Sequence, residues 1–405
     1  MASRFALLQD RNFARVFAAR LISAFGTPMG PVALPFAVLE DLHGTARDVG
    51  IVIAAASAAQ VAFQIFAGAL ADRGSRRAQM VTGDLAAAAA QGTIALLLAL
   101  HVASVPALVA LELVIGTALA LHQPAAVGLV PLVVDRDRLH GANALLALAN
   151  SLAIGLGAAV AGFVAAVFGA KVALALDAAT FLASAILVSG VRERAQERSR
   201  GESLLAELRY GWREFTSHRW LWTIVLQFTV MLLGWFGTYA VVGPVIAKRS
   251  LGGAAAWGAI ASANGFGLIA GGFLALRVRF PRPMLAATLC CFPFALLPLA
   301  LWATLPLAWI AGAAFAAGLA GEIFGVLWFT ALQTHVEPAA LSRVSAYDAV
   351  GSIALVPLGE VLAGFALDAF GPAPTLLGAC ALIVVPTAAV LFVREVRELR
   401  AESHA

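Results

Sequence analysis

Two stretches of the chain resemble each other: residues 139–169 read LHGANALLALANSLAIGLGAAVAGFVAAVFG, and residues 341–371 read LSRVSAYDAVGSIALVPLGEVLAGFALDAFG. Identical residues recur at a constant offset of 202 positions: Leu139 and Leu341, Ala144 and Ala346, Gly157 and Gly359, Gly162-Phe163 and Gly364-Phe365, and Phe168-Gly169 and Phe370-Gly371. A second match pairs GALADR (68–73) with GFLALR (272–277). The pattern indicates two related halves.

Each of these stretches is long and apolar enough to cross a bilayer, since a membrane helix needs about 20 mostly apolar residues. Of all 405 residues, 61% are hydrophobic and 12% are charged, whereas a soluble domain has about 45–50% and about 25%. A soluble protein could not bury so much apolar surface. This composition excludes a cytosolic enzyme, a disordered chain and, with only three cysteines, a secreted disulfide scaffold.

Twelve apolar runs follow one another, six in each half. They predict membrane spans over residues 13–39, 49–70, 79–100, 105–131, 143–168, 171–190, 220–247, 255–276, 283–302, 305–331, 345–369 and 373–393. We expect an all-α fold of two pseudo-symmetric six-helix bundles, residues 1–190 and 220–393, with a linker over 191–219 and a tail over 394–405. Two six-span repeats are typical of a transporter whose path runs between the halves near the bilayer midplane. A duplicated channel is the alternative.

Basic residues predict the orientation of the spans, because cytoplasmic loops carry an excess of Lys and Arg. With the N-terminus inside, 22 of the 27 Lys and Arg residues fall in cytoplasmic segments, and Arg20 falls within a span. The remaining four fall outside: Arg47, Lys171, Lys248 and Arg249. We expect both termini to be cytoplasmic. We also expect the first span to be retained, because Asp10 and Arg11 interrupt any signal-peptide pattern.

The linker contains a predicted amphipathic helix. Apolar residues recur at helical spacing with charged residues between them: Leu204, Leu205, Leu208, Trp212 and Phe215. Such a helix lies on a membrane surface with its apolar face inward. We favour this position over a soluble linker helix, because Trp212 and Phe215 lead directly into the seventh span.

The chain lacks the sequence features of an enzyme or a nucleic-acid-binding protein. Neither Lys171 nor Lys248 follows a glycine, as a phosphate-binding P-loop requires, and no G-x-S-x-G motif or metal-ligand histidine pair occurs. The net charge of +4 comes from short arginine clusters between spans. We expect a transporter without cofactor or metal, either passive or driven by an ion gradient.

The loop between the second and third spans reads GALADRGSRR (68–77). It resembles the loop signature of the major facilitator superfamily, G-x-L-A-D-R-x-G-R-R/K, at these positions: Gly68, Leu70, Ala71, Asp72, Arg73, Arg76 and Arg77. Other stretches resemble its drug:proton antiporter branch, which includes macrolide-efflux proteins and enterobactin exporters: RNFARVFAARLIS (11–23), QPAAVGLVPLVV (123–134), NALLALANSLA (143–153), LDAATFLASA (176–185) and LWFTALQTHV (327–336).

The resemblance implies a role for this loop. By analogy, the carboxylate of Asp72 accepts hydrogen bonds from the free N–H groups that open the eleventh span. This contact would latch the two halves on the cytoplasmic side and favour the outward-open state. The three arginines of the loop would pair with Asp84, Asp348 or lipid phosphates; alternatively, they only set the topology.

Four carboxylates lie deep inside the predicted spans: Glu112, Asp177, Glu322 and Glu360. A carboxylate deep in a bilayer is costly, and this makes each one a functional candidate. Burial favours the protonated form, so such a group can take up and release a proton as its exposure changes. Glu322 and Glu112 are the first candidates for proton coupling, followed by Glu360. Each could also be a structural carboxyl, and Asp177 in particular could hold helices together.

Several side chains are candidates for a ligand cavity, because aromatic, Met and amide groups suit bulky amphipathic ligands. In the seventh span Gln227, Met231, Trp235 and Thr238 share one helical face, with Tyr239 adjacent. The candidates elsewhere are Phe25, Met29, Gln60, Gln64 and Trp328. Lipid-facing packing is the alternative for several of them.

These features together predict a proton-coupled exporter of amphipathic or hydrophobic small molecules. We expect it to act by alternating access, as a monomer among membrane lipids, in the cytoplasmic (inner) membrane of a bacterium. A dedicated siderophore or natural-product exporter and an importer are alternatives of the same class. A non-transporting membrane sensor or scaffold is an alternative of another class, which the cost of the intramembrane carboxylates disfavours.

Overall fold

The computed structural model describes residues 6–135, 138–194, 204–278, 280–337 and 340–399. Within these ranges, some side chains fall outside the description: those of residues 65–73 and 204–208, and of Ala6, His140, Ala144, Leu148 and Ser342.

Twelve helices in the described part of the chain are long and apolar enough to cross a membrane. In chain order they are called the first to twelfth spans: Arg11–Asp41, Ala46–Arg73, Arg76–Ala99, Val105–Val133, Leu139–Phe168, Ala170–Ser189, Arg219–Leu251, Ala254–Ala275, Pro283–Trp302, Leu307–His335, Arg343–Phe370 and Pro372–Val390. The predicted ends agree with the observed ends to about four residues. The predicted all-α membrane fold of twelve spans is confirmed.

The first and seventh spans are interrupted helices. In the first, the helix Arg11–Gly26 turns at Thr27 and Pro28 into the helix Met29–Phe36, and a wide helical turn over Ala37–Asp41 follows. The seventh span has four segments: Arg219–Phe236, a wide turn over Gly237–Val242, Gly243–Ile246 and a second wide turn over Ala247–Leu251. Proline and glycine explain these interruptions, since proline removes a helical hydrogen bond and glycine adds backbone freedom.

The structure divides into two compact units. The first unit comprises Met1–Ser199 with Ala247–Ser262, and the second comprises Arg200–Ile246 with Ala263–Ala405. This division differs from the simple split at the linker that the sequence predicts. Residues 247–262 belong to the first unit because Ser262 donates a hydrogen bond of 2.8 Å to the carbonyl oxygen of Gly155, and Lys248 donates one to that of Leu39.

Glycine allows spans of the first unit to approach closely. A Cβ atom at Gly116 of the fourth span would overlap the backbone of Ala56 in the second span. One at Gly83 of the third span would lie only 2.9 Å from the carbonyl oxygen of Ala118 in the fourth. Small residues at such crossings are a common means of packing membrane helices. They hold the fourth span between the second and third.

The predicted linker helix is present as Leu204–Ser217 and packs within the second unit. Phe215 is buried, and the rings of Phe215 and Trp212 lie 6.0 Å and 5.4 Å from that of Tyr347, near the start of the eleventh span. Trp212 keeps 53% of its surface exposed. The helix therefore packs on Tyr347 through Phe215 and Trp212, and about half of the Trp212 surface remains exposed.

Candidate functional site

Three of the four carboxylates predicted inside spans are buried. The exposed fractions are 5% for Glu112, 4% for Asp177 and 2% for Glu360, whereas Glu322 is partly exposed. They lie on four different spans, the fourth, sixth, eleventh and tenth. Each therefore has its own surroundings.

Asp177 faces the interruption of the first span. A Cβ atom at Gly26 would lie 2.9 Å from Asp177 Oδ1, and one at Gly30 would lie 3.4 Å from Oδ2. The Gly30 position is also 3.6 Å from Nε2 of Gln91, on the third span. The Oδ1 atom is buried without a hydrogen-bond partner among the described residues. The glycines on either side of the turn thus leave room for a buried carboxyl.

Asp84 is the centre of a buried polar cluster that links three spans. Its side chain is 1% exposed, and its Oδ2 atom accepts a hydrogen bond of 2.6 Å from Ser184 Oγ on the sixth span. Its Oδ1 atom lies 2.6 Å from Nδ1 of His122 on the fourth span. The His122 side chain is 16% exposed. This cluster combines a carboxylate, an imidazole and a hydroxyl inside the first unit.

The Asp84 and Asp177 positions share one helical register. Asp84 of the third span faces Ser184 of the sixth. Seven residues after Asp84, Gln91 lies near Asp177, and Asp177 is seven residues before Ser184. The two spans are therefore antiparallel, with two buried polar levels between them. Seven helical residues separate such levels by about 10 Å.

Two of the loop arginines, Arg76 and Arg77, make contacts that the sequence did not predict. Arg76 donates to the carbonyl oxygen of Gly128, and the backbone N–H of Arg77 donates to Glu193 Oε2 at 3.2 Å. Asp84 pairs with His122 and Ser184 instead, because the third span turns Asp84 toward the protein interior and away from the loop. The pairing of Arg76 or Arg77 with Asp84 was therefore a wrong expectation.

The predicted latch depends on Asp72. The structure does not describe the side chains of the loop residues Gly68, Asp72 and Arg73. The helix whose N–H groups would donate to Asp72 starts at Leu341, one residue before Ser342. The other predicted arginine partner, Asp348, accepts hydrogen bonds from Trp328 and Ser352 within the second unit. The latch remains a prediction.

The remaining carboxylates lie beside glycine crossings. Glu322 faces the eighth span, where a Cβ atom at Gly271 would lie 3.0 Å from Glu322 Cβ. Glu360 follows Gly359, which packs closely on the backbone of Leu233 in the seventh span. Glu112 is one helical turn from Gly116 and its crossing with the second span. Close packing of this kind keeps water away from the two buried groups, Glu112 and Glu360.

The predicted ligand face of the seventh span is packed inside the second unit. The exposed fractions are 2% for Gln227, 0% for Met231, 6% for Trp235 and 1% for Thr238. Gln227 donates to Thr387 Oγ1 at 3.0 Å, in the twelfth span. Trp235 stacks on Tyr239 at 5.3 Å and meets Phe294 of the ninth span edge-on at 4.9 Å. In this structure Gln227, Met231 and Trp235 therefore contact protein side chains.

A stack of three aromatic rings joins the seventh and tenth spans. The ring centroids of Phe228 and Phe324 are 4.6 Å apart, and those of Phe324 and Trp328 are 6.0 Å apart. The interplanar angles are 7° and 11°. Phe228 is partly exposed, whereas Phe324 and Trp328 are buried. The sequence reasoning selected Trp328 and missed Phe324, although Phe324 precedes it by one helical turn.

The other cavity candidates have mixed exposure. Phe25 and Gln60 are partly exposed, and Met29 is 2% exposed. Gln64 is partly exposed as a residue, but its Oε1 atom is buried without a hydrogen-bond partner among the described residues. Gln64 therefore offers an unused acceptor.

The second unit contains an apolar cavity of about 680 Å³ between the seventh, eleventh and twelfth spans. Thr238, Gly359, Leu362, Phe370 and Leu382 are among its lining residues. A smaller one, about 270 Å³, lies between the third and fourth spans and is also apolar. Of the predicted cavity residues of the seventh span, Thr238 lines the larger of these two cavities.

His122 is the ionisable group that sequence reasoning missed. The chain has seven histidines, and His122 is the one that falls inside a predicted span. The rule that selected the four carboxylates, an ionisable side chain within an apolar run, applies equally to it. Among the residues that the structure describes, no group of three or more His, Cys, Asp or Glu side chains is arranged to hold a metal.

Two repeated six-span halves, an interrupted first span in one and an interrupted seventh in the other, and buried ionisable groups within apolar helices define a membrane transporter. The family model of the Major Facilitator Superfamily matches residues 16–355. The chain belongs to this family of transporters.

Solved structures of transporters share the fold at low sequence identity. A mutant of the nucleoside transporter NupG is 12% identical, with 94% of this chain and 98% of that chain covered and a TM-score of 0.74. A D-xylose–proton symporter is 14% identical, with coverage of 96% and 99% and a TM-score of 0.70. A bacterial homologue of the human lysosomal transporter Spinster is 16% identical, with coverage of 97% and 95% and a TM-score of 0.65. No curated protein matches the chain.

Proposed function

We propose that the chain exports amphipathic or hydrophobic small molecules by proton antiport with alternating access. The observation that carries this proposal is the presence of buried carboxylates inside apolar spans. Asp177 is 4% exposed, has an oxygen without a hydrogen-bond partner among the described residues, and faces the interruption of the first span. Such a carboxyl holds a proton while buried and releases it when water reaches it.

Four carboxylates are the proposed coupling groups. Glu322 and Glu112 come first, because by resemblance to the family the fourth and tenth spans would line the transport path, and Glu322 is partly exposed. Glu360 follows, and the position of Asp177 beside a helix interruption supports its inclusion. In an antiporter, protonation and substrate binding alternate, so the proton gradient drives the substrate outward.

Aromatic and apolar surfaces support the substrate class. Phe25 on the first span and Phe228 on the seventh are partly exposed, and flat rings bind varied amphipathic molecules through area rather than through specific hydrogen bonds. Gln64 supplies an acceptor. Drugs and natural products, including siderophores, fall in this class, and multidrug resistance would be the consequence in a cell.

The proposed setting is the inner membrane of a bacterium. The distribution of Lys and Arg supports cytoplasmic termini, and a single chain among lipids suffices for the cycle. An impermeant thiol reagent added outside intact cells should fail to label a cysteine introduced at Ser3. Labelling there would overturn the proposed topology.

Ethidium efflux from cells tests the proposal. Cells that lack their main exporters are loaded with ethidium, with and without expression of the chain, and the measurement is repeated with a protonophore. Expression should lower retained ethidium by at least about twofold, and the protonophore should abolish the difference. Accumulation instead of efflux would indicate a symporter, like the D-xylose–proton transporter that shares the fold. Protonophore-insensitive efflux would contradict proton coupling.

A further inference from the structure

His122 and Asp84 form an acid–base pair inside the first unit, apart from the four carboxylates of the proposed function. We propose that this pair is a proton-binding site that governs the transport cycle, with His122 as the group that gains and loses the proton. The link to transport rests on the proposed function, but proton binding by His122 does not.

The position of the pair favours exchange with one side of the membrane. Asp84 lies eight residues from the start of the third span and Ser184 five residues from the end of the sixth. At 1.5 Å per residue these are about 12 Å and about 8 Å. Both ends belong to the side that the arginine pattern assigns to the cytoplasm. The pair is therefore buried, yet within a few helical turns of one surface.

The third span is built to bring its carboxylate to the fourth. Gln79 donates from Nε2 to the carbonyl oxygen of Leu121 at 2.9 Å. One turn later Gly83 meets the backbone of Ala118 and His122, where a Cβ atom would lie 2.9 Å and 3.6 Å from their O and N atoms. Asp84 follows immediately and reaches Nδ1 of His122 at 2.6 Å. A larger residue than glycine would separate the two helices and break this contact.

The charges make the site sensitive to one proton. A protonated imidazole beside the Asp84 carboxylate is a neutral pair, and Ser184 donates to the second carboxylate oxygen. When the proton leaves to water, one negative charge remains in a site that is 1% exposed. A buried uncompensated charge is costly, so deprotonation favours an arrangement in which water reaches Asp84. Histidine is the side chain that ordinarily changes charge nearest neutral pH.

The 16% exposure of His122 gives the proton a route. Its Nδ1 atom is buried and lies 2.6 Å from Asp84 Oδ1, in a geometry that is not that of a hydrogen bond, so the exposed surface belongs to the rest of the side chain. Two residues later Pro124 lacks the N–H that would bond to the carbonyl of Ala120, which weakens the helix beside His122. The ring can therefore meet water on one side while it holds Asp84 on the other.

Among the side chains that the structure describes, few other charged groups share this environment. On the helices packed against the third and fourth spans, the nearest are Arg76, which binds Gly128 one to two turns away, and Asp177, seven residues from Ser184. Glu112 is ten residues away on the same span. More distant charged groups with described side chains also lie on these helices: Arg11, Arg15, Arg20, Glu40, Asp41, Arg47, Asp48, Arg77 and Lys171. Asp84 is the charged group that the structure places in contact with His122.

A titration of His122 tests proton binding directly. The full-length protein, labelled with ¹⁵N in its histidine rings and held in lipid nanodiscs, is followed by NMR between about pH 5 and 9. The His122 signal is the one missing from His122→Asn. We expect it to change protonation state in this range, with a titration curve that Asp84→Asn alters, because the neighbouring carboxylate is then absent. A constant signal, or a titration curve that Asp84→Asn leaves unchanged, would overturn the proposal. If Asp84→Asn does not fold, Ser184→Ala should alter the curve to a smaller extent.

A second measurement tests whether the site governs transport. Asparagine at 122 places an N–H where Nδ1 lies, so the contact with Asp84 persists, but no proton is gained or lost. In proteoliposomes His122→Asn should lower the rate of pH-gradient-driven ethidium transport by at least about tenfold relative to wild type. Its rate of ethidium exchange should stay within about twofold of the wild-type rate. His101→Asn is the matched control, because His101 is exposed in a loop with φ of 56°, which asparagine tolerates.

The outcomes separate this proposal from the proposed function. Full gradient-driven transport by His122→Asn would remove His122 from the cycle and leave proton antiport intact. Wild-type protein that exchanges ethidium but ignores the pH gradient would overturn antiport, and protein that moves no ethidium would overturn the substrate class. In both of these cases the NMR titration still decides whether His122 and Asp84 bind a proton.

Discussion

The indole nitrogen Nε1 of Trp328 donates a hydrogen bond of 2.8 Å to Oδ2 of Asp348. The two residues are 4% and 8% exposed, and Ser352 donates to the other carboxylate oxygen at 3.2 Å. This contact ties the tenth span to the eleventh, one residue after Tyr347 meets the linker helix. The sequence suggested a ligand contact for Trp328, whereas the structure shows a link between helices.

Replacement of Trp328 by phenylalanine should destabilise the second unit. The variant keeps an aromatic ring but leaves a buried carboxylate oxygen without its donor, which costs about 1–3 kcal/mol of unfolding free energy. Chemical denaturation in detergent measures the loss. The control is Trp222→Phe, since Trp222 is 36% exposed near the start of the seventh span. An equal loss in both variants would mean that the hydrogen bond contributes nothing.

Helix crossings give a second stability prediction. Gly116→Ala places a methyl group against the backbone of Ala56, and overpacking of this kind lowers the unfolding free energy by about 1–3 kcal/mol. Gly312→Ala is the matched control, because nothing lies within 4 Å of that position. Thermal unfolding should show a lower midpoint for Gly116→Ala and an unchanged or raised one for Gly312→Ala. A raised midpoint for Gly116→Ala would contradict the close crossing.

A pH prediction concerns the linker helix. The Tyr210 hydroxyl donates to Glu337 Oε2 at 3.1 Å. This hydrogen bond, with desolvation and the charge of Glu337 as further causes, raises the pKa of Tyr210. A raised pKa means that the contact stabilises the fold below about pH 10 and is lost as pH rises through the folded-state value. The chain has three tyrosines, and the difference between the absorbance titrations of wild type and Tyr210→Phe isolates the Tyr210 component. Glu337→Gln should shift this component to lower pH, and an unshifted component would contradict the assignment.

Hydropathy predicted the spans, because a bilayer requires about 20 apolar residues and backbone groups that are satisfied within the helix. It could not predict helix rotation, since the spans are apolar on all sides and periodicity carries little signal. Gln227 therefore seemed to belong to a ligand face, yet it binds Thr387 inside the second unit. Asp84 was predicted to pair with the loop arginines, yet it pairs with His122. The positions of both side chains depend on contacts between spans that are far apart in the chain, and a single sequence does not predict these contacts.

The loop signature carries a prediction that the described side chains leave open. Asp72→Asn should lower ethidium efflux without lowering the amount of inserted protein, because it removes the charge that attracts the N–H groups at the start of the eleventh span while it keeps the side-chain size. Efflux and membrane content are measured in the same cells. Ser75→Ala controls for disturbance of the loop, since Ser75 caps the third span through the N–H of Ala78. Equal efflux by Asp72→Asn and wild type would remove the latch.

The coupling carboxylates give the final prediction. Glu322→Gln and Glu112→Gln should each reduce proton-driven export, and one of them should nearly abolish it, because glutamine keeps the size and hydrogen bonding of the side chain but carries no titrating proton. Exchange of ethidium should survive, since an apolar pocket does not depend on that proton. Proteoliposomes with an imposed pH gradient distinguish the two activities, and Glu337→Gln, outside the spans, is the matched control. If both variants keep full gradient-driven export, these glutamates are structural, and coupling passes to Glu360 or to Asp177 beside the interrupted first span.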